Sequence, residues 1–424
     1  MILICLNPFV SHFLPIRLFA EKIVKSGEEV VFIGYSCIKD MVKKEGYRYV
    51  VLESCLDETL QKYKRNHEFD SLEKSFKRIH EELIEKIKII NPRLILFHIS
   101  RFDVFFLPVH ELGIDYMTYD MSFGKVSFAF SAPPSTSSTI PLGSWDIRSA
   151  WGWIKRLHRK INDLQWFSLR EKYPYNEMWK IKKREGLKKG FCIDGFFIKG
   201  LHIKFTPSRI EFCPEKNVLY AGLCVKKPDF MEETISISKR ENESLIYCTL
   251  GTMSNRYTKT RMFLEGLIEI IRKHPEFQLV ISLGKRNEVF DTNNLPDNVK
   301  ILDYIDQHEI LKKADLVITH GGAGTVKECI YYEVPMIIAP SSYDQTGNAA
   351  KVQFHNIGLR NELMKRTYLE RKLNRNLKEM NTEYLENQIL RIIGDKKYKA
   401  NIKEFKKTIE RDNELEQIIK SISS

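Results

Sequence analysis

His320-Gly321-Gly322-Ala323-Gly324-Thr325-Val326-Lys327-Glu328 follows directly on the apolar run Leu316-Val317-Ile318-Thr319. An apolar run that ends in glycines and opens into a helical pattern predicts a strand, a tight turn and a helix. Main-chain N–H groups and the positive helix end then converge on one point, where they suit an anion such as a diphosphate. Glycine at 321, 322 and 324 keeps side chains from holding phosphate oxygens away from the backbone. His320 closes the strand and can donate to a phosphate oxygen, as can the Thr325 hydroxyl in the first helical turn. Glu328 lies three residues on, on a neighbouring helix face, where a carboxylate suits a pair of ribose hydroxyls. A further apolar run at 335–340 delivers Asp344 and Gln345 to the ligand side of a parallel sheet, with donors and acceptors that match hexose hydroxyls. Glycines alone would serve any strand-to-helix turn; the ordered combination points to a sugar nucleotide.

Working outward, apolar runs near 2–6, 29–34, 47–52, 93–98 and 114–119 alternate with helical stretches such as 15–25 and 72–90. A second series begins at Leu245 and continues through 277–284, 299–305, 316–320 and 335–340. This alternation predicts an α/β chain whose parallel sheets are covered by helices. The 424 residues, 43% of them hydrophobic, exceed what one core serves. We expect a first domain over 1–222, a linker over 223–242, a second domain over 243–380 and charged terminal helices over 381–424.

Residues 304–358 resemble the donor-binding signature of family 1 nucleotide-sugar glycosyltransferases, including the bacterial macrolide-glycosyltransferase-like branch. The resemblance implies a GT-B fold: two Rossmann-like domains facing each other across a cleft, the first for the acceptor and the second for the donor. It assigns Tyr304 and Gln307 to the base, with Asp306 where the family has Pro. It sets Gly251 and Thr252 against the phosphates, and gives Asn348 a further phosphate contact.

In the same way, Asn7-Pro8-Phe9-Val10-Ser11-His12-Phe13-Leu14-Pro15 resembles the family's Gly-His-x-x-Pro loop, with Ser11 for Gly and His12 as general base. A base is needed because a hydroxyl attacks an anomeric carbon poorly until its proton is removed, and imidazole has the right affinity for that proton. The family orients this imidazole with an Asp; here His98 stands in its place, and the nearest downstream acid, Asp103, is the candidate partner, with Asp120 beyond it. If His98 faces His12, the pair resists double protonation and favours acceptors that are already acidic. The expected reaction is an inverting, metal-independent transfer of a hexose from a nucleotide sugar, UDP-glucose for preference, to a small lipophilic acceptor, with no separate cofactor. The rivals are a sugar-nucleotide 2-epimerase and a catalytically silent nucleotide-sugar-binding protein at a membrane.

Composition adds limits. The net charge of +12 is spread along the chain, so no nucleic-acid partner is expected. The eight cysteines contain no Cys-x-x-Cys pair, which argues against zinc and redox sites. No apolar run reaches the roughly 18 residues that span a bilayer, and no basic leader precedes the first strand, so a cytoplasmic location is expected. Residues 151–167 carry three tryptophans, with Ile154, Leu157, Ile161 and Leu164 at helical spacing. They are read as an acceptor lid or core packing, or else as a peripheral membrane contact, beside an acceptor wall at 123–130 and 133–135.

Overall fold

The computed structural model describes residues 1–8, 10–54, 69–99, 102–123, 173–184, 191–193, 196–198, 201–212, 214–215, 218–227, 237–251, 259–283, 294–341, 344–364 and 382–423. Thr252, the 151–167 segment and the 124–130 and 133–135 stretches lie outside these residues. The side chain of Asp103 does too.

The first half begins with β1 (Ile2–Cys5), α1 (Val10–Lys25), β2 (Val30–Gly34), α2 (Lys39–Lys44) and β3 (Arg48–Val51). It continues with α3 (Phe69–Ile90), β4 (Leu94–His98), α4 (Phe102–Glu111), β5 (Asp115–Asp120) and α5 (Tyr175–Arg184). A small hairpin, β6 (Phe191–Ile193) and β7 (Phe196–Ile198), precedes β8 (His202–Lys204) and β9 (Val218–Tyr220). The second half contains β10 (Ser244–Thr249), α6 (Thr260–Lys273), β11 (Phe277–Ser282), β12 (Val299–Leu302), α7 (Gln307–Leu311) and β13 (Leu316–Thr319). There follow α8 (Ala323–Tyr331), β14 (Met336–Ile338), α9 (Gln345–Phe354), β15 (Gly358–Arg360), α10 (Thr382–Gly394), α11 (Lys397–Asp412) and α12 (Glu414–Ser423).

Two parallel sheets result, ordered β3-β2-β1-β4-β5-β8-β9 and β12-β11-β10-β13-β14-β15. Alternation along each strand sends neighbours to opposite faces. Leu3, Cys5, Ile95 and Phe97 pack under α3 and α4, while Ile2, Ile4, Leu94 and Leu96 pack under α1 and α12. In the second sheet, Ile246, Cys248, Leu316 and Ile318 face α6 and α10, and Tyr247, Val317 and Met336 face α8, α9 and α11. Residues at 7–15 do not form the expected loop. Helix α1 begins at Val10 and runs through Pro15, driven by the buried face of Phe13, Ile16, Phe19 and Ile23; a proline there removes a single helical hydrogen bond.

The chain's last helices join the halves. Helix α10 stays on the second sheet, whereas Ile418, Ile419 and Ile422 of α12 enter the first core. Arg93 Nη2 donates to the Ile422 carbonyl at 2.7 Å, and Arg209 pairs with Asp412 at 2.6 Å. No described helix is long and apolar enough to cross a membrane.

At the far end of the second half, His274 bridges Glu276 and Glu386 at 2.9 Å each, tying the end of α6 to α10. The Glu386 bond, then the Glu276 bond, raise the imidazole above its ordinary value. A raised folded value means that this stability is complete below the unfolded value near 6.5 and is lost as pH rises through the folded one. Calorimetry of wild-type and H274Q protein is expected to show a Tm gap of about 2–4 °C at pH 6 that closes by pH 9.

Candidate active site at two strand switch points

In each sheet the strand order reverses between two central neighbours, β1 and β4 in the first, β10 and β13 in the second. Connections leave such a pair in opposite directions, so the carboxyl ends part and leave a crevice that binds ligands. Asn7 and His12 follow β1, and His98 ends β4; Gly251 follows β10, and His320 follows β13.

In the second crevice, two glycines, Gly251 after β10 and Gly322 of the motif, have a job their spacing does not reveal: they seat an imidazole. A Cβ on Gly251 would stand 2.6 Å from His320 Cε1, and one on Gly322 would stand 2.7 Å from His320 Nε2. Gly251 also has φ +77°, and Gly321 has φ +87° where a side chain would overlap Ile338. Gly324 differs, being exposed, with nothing within 4 Å of an added Cβ. Burial, against the Thr249 main-chain carbonyl, pulls His320 down to about 4. It is therefore neutral at pH 7 and carries one ring N–H. Gly322 caps α8, whose first internal bond is Val326 N–H to the Gly322 carbonyl at 3.0 Å. The N–H groups of Ala323, Gly324 and Thr325 thus have no partner within the helix.

Glu328 is pushed up to about 7 by burial, against the Gln307 hydrogen bond and the Lys327 charge. Gln307 Nε2 donates to Glu328 Oε2 and reaches Thr325 Oγ1 at 3.5 Å, while its carbonyl accepts from Tyr247 Oη at 3.3 Å. The resemblance assigns Gln307 to the base; in this structure its amide supports Glu328. Tyr304 stands 53% exposed, so its ring is open for stacking. Asp306 replaces the rigidity of a proline with a helix cap, accepting from His308 N–H at 2.9 Å and Glu309 N–H at 3.3 Å, and it pairs with Lys227 at 2.7 Å.

Asn348 is wholly buried, and its Nδ2 donates to the Gly321 carbonyl at 2.8 Å and to Asp344 Oδ2 at 3.0 Å. It therefore braces the glycine turn. Gln345 is likewise largely buried, its Oε1 accepting from the Ser341 N–H and hydroxyl at 2.9 Å each. Asp344 faces the first half: burial raises its pKa, with the charge of Asp120 adding to the effect.

In the first crevice, the His12 and His98 rings stack with centroids 4.6 Å apart and planes at 28°. The carboxylate expected at the base is one imidazole removed, His98 Nε2 lying 3.7 Å from Asp120 Oδ1. Lys204 Nζ is 3.6 Å from Asp120 and 2.8 Å from the Ser122 carbonyl. Burial alone would raise Asp120, but Lys204 and His98 override it and hold the carboxyl well below the usual range. Asp103 falls in the first turn of α4. The resemblance pointed to His98 and named Asp103 first, with Asp120 beyond it; Asn7, whose amide lies 3.1 Å from His12 Nδ1, had no such signal.

The two crevices are coupled directly. Lys327 Nζ, from the motif helix, donates to the Phe205 carbonyl at 2.6 Å, and Lys351 Nζ of α9 lies 2.9 Å from Glu211. Among the described residues, no group of three or more His, Cys, Asp or Glu side chains is placed to hold a metal.

Two parallel α/β sheets, each opening at a switch point, give the chain the fold seen in GT-B glycosyltransferase structures. Residues 255–411 match the glycosyltransferase family 28 C-terminal domain. Similar curated proteins are the uncharacterized UDP-glucosyltransferase YojK of Bacillus subtilis, 30% identical over 168 residues, and the oleandomycin glycosyltransferase of Streptomyces antibioticus, 34% identical over 111 residues. These matches cover 38% and 26% of this chain, and 40% and 25% of the relatives. The chain thus spans less than half the length of either. Among solved structures, the glycotransferase of kitacinnamycin superimposes with a TM-score of 0.70 at 16% identity, over 99% of this chain and 97% of that one; the likeness is one of fold.

Gly251→Ala is expected to lower stability by about 1–3 kcal/mol, since the added methyl must displace His320. Gly324→Ala, with open space to fill, is expected to leave it unchanged or raised by up to about 1 kcal/mol. Urea denaturation of both variants checks the contrast.

Proposed function

We propose that the protein is an inverting, metal-independent glycosyltransferase that moves a hexose from a nucleotide sugar, UDP-glucose for preference, to a hydroxyl of a small lipophilic acceptor. The observation that carries this reading is the opposition of the two switch points, a stacked His12–His98 pair in one and an N–H-lined glycine turn in the other. In the second crevice the N–H groups at the start of α8 and the Thr325 hydroxyl would receive the diphosphate, Glu328 the ribose and Tyr304 the base. Asp344 lies where a hexose would bridge the halves. His12 would take the acceptor proton as the oxygen attacks the anomeric carbon from the face opposite the leaving diphosphate. The helix end stabilises the charge that develops there, a role that a divalent ion plays elsewhere.

Two stacked imidazoles resist holding two protons, so the base gains less from an imidazolium than a directly bonded carboxylate would give. Acceptors that are already acidic are therefore favoured. A phenol is expected to be turned over faster than an aliphatic alcohol of similar size; equal or better use of the alcohol removes this part of the reading.

The central experiment combines thermal-shift screening of nucleotide sugars with transfer assays of His12→Ala and Glu328→Gln proteins. His12→Ala is expected to lower turnover by about 10²–10⁴ while leaving donor binding intact. Glu328 accepts a pair of ribose hydroxyls on both oxygens, and most strongly, when ionised, so UDP-glucose affinity is expected to rise from pH 6 to 8 as the carboxyl deprotonates near 7. Glu328→Gln should weaken binding and flatten that profile. A donor that stabilises neither wild-type nor variant protein would overturn the proposal.

A further inference from the structure

The second half contains a cavity that the transfer reaction does not use. Its volume is about 410 Å³, within the ~300–1,000 Å³ of small-molecule sites. It lies against β15, the edge strand of the second sheet, between the end of α9, helix α10 and the first turn of α11. Gln345, which starts α9, belongs to the candidate site, whereas Gln353 near the end of that helix lines the cavity. The intervening helix sets them roughly 12 Å apart, so the cavity is separate from the glycine turn.

An edge strand presents main-chain groups that no further strand pairs, and a buried amide meets β15 on that side. Gln388 of α10, 6% exposed, donates from Nε2 to the Arg360 carbonyl at 2.8 Å and to Tyr384 Oη at 3.2 Å. Its Oε1 accepts from Asn361 Nδ2 at 2.7 Å. One side chain thus ties the strand, the helix and the Tyr384 ring together, so the cavity wall is set by the fold. The charged side chains that line it are Arg360 and Arg391; among the described residues, no carboxylate belongs to the lining. Glu362, which meets Arg360 Nε at 3.3 Å, stands outside it and is 41% exposed. Amides and phenols supply the rest of the polar lining. Amide and phenol groups can donate to an oxyanion as guanidiniums do, whereas a cation would meet two like charges.

We propose that this cavity is a second ligand site, which takes a small organic anion and holds its phosphate or carboxylate group on Arg360 and Arg391. A guanidinium presents its N–H groups in a planar fork that matches two oxygens of such a group, and it stays charged throughout the physiological pH range. The Arg360 side chain is 26% exposed, and salt screens a sheltered charge less than an open one. Tyr384 adds an apolar ring, 48% exposed, for the uncharged part of the ligand. At roughly 30 Å³ per water the space equals on the order of a dozen waters. That suits an anion the size of citrate or a sugar phosphate and is more than inorganic phosphate fills.

The test follows the Arg360 and Arg391 Nε–H signals by ¹⁵N NMR of the arginine-labelled full chain as glucose 6-phosphate, citrate or neutral glucose is added. These signals report the cavity itself, so the outcome is independent of transfer activity. Saturable shifts of both signals with either anion, and none with glucose, are the expected result; the stronger of the two anions tells phosphate from carboxylate. Arg391→Gln is expected to weaken binding about fivefold or more. Lys399→Gln removes an exposed cation of α11 outside the lining, and it should change binding less than about twofold. Arg360→Lys keeps the charge, loses the fork and should also weaken binding. Should Arg391→Gln fail to fold, the wild-type shifts decide alone. Signals that stay fixed at millimolar anion, or equal losses in Arg391→Gln and Lys399→Gln, overturn the proposal.

Discussion

A parallel sheet whose strand order reverses must open at its carboxyl edge, because the connections on either side of the reversal leave toward opposite faces. This chain meets that constraint twice, and the described candidate groups gather at or beside one of the two openings. His98 ends β4 and His320 follows β13, so each faces the strand that begins the reversal. The chemistry is therefore positioned by the central strands of each core, which are the least able to move. The glycines fix the last ångströms. Gly251 and Gly322 hold the His320 ring between them, so the turn also sets the orientation of that imidazole. Asn348, buried behind that turn, holds it closed through the Gly321 carbonyl.

Much of this was legible in the sequence, and the reason is periodicity. Strands such as 94–98 and 316–319 are buried on both faces and read as continuous apolar runs. The strands missed, β6, β7, β8, β9 and β15, are three residues long and carry too little pattern to register. The stacked position of His98 against His12 was also readable, since both follow central strands. What spacing does not reveal is how a polar side chain is already committed. Gln307, Gln345 and Asn348 have amides that suit a ligand, yet the structure turns them to Glu328, Ser341 and the Gly321 carbonyl. A buried amide must find partners within the protein, and those partners come from elements that only tertiary packing brings near. Asp306 shows the same limit from the other side: as a departure from the family's Pro it looks like a loss of rigidity, whereas capping α7 restores it.

The second half's motif helix also belongs to the first half. Lys327 is buried yet reaches the Phe205 carbonyl, and burial pulls its pKa down to about 8. Lys351 lies against Glu211 and near the rings of Phe123 and Phe212. Such buried charges are costly to separate from their partners, so these contacts fix how the crevices face each other more than they add stability. With α12 packed on the first sheet, the halves are joined on more than one side of the connecting segment. The relative placement of His12 and His320 is then a property of the folded chain and does not depend on the linker alone.

The candidate site shares one electrostatic character. His320 and Lys327 are pulled down by burial, and Glu328 and Asp344 are pushed up by it. Each shift records a charge that the protein environment disfavours. Preorganised but poorly solvated groups gain most from a ligand that supplies the missing countercharge or hydrogen bonds, since little solvent must be displaced and little structure reordered. Glu328 is the clearest case, because its carboxyl is near its midpoint at neutral pH with Gln307 already turned toward it. A pair of hydroxyls donating to it would favour the ionised form that burial opposes. Ligand binding and proton release at that residue are thereby one linked event, and the same desolvation that weakens the empty site sharpens its preference for a ligand with donors in that place.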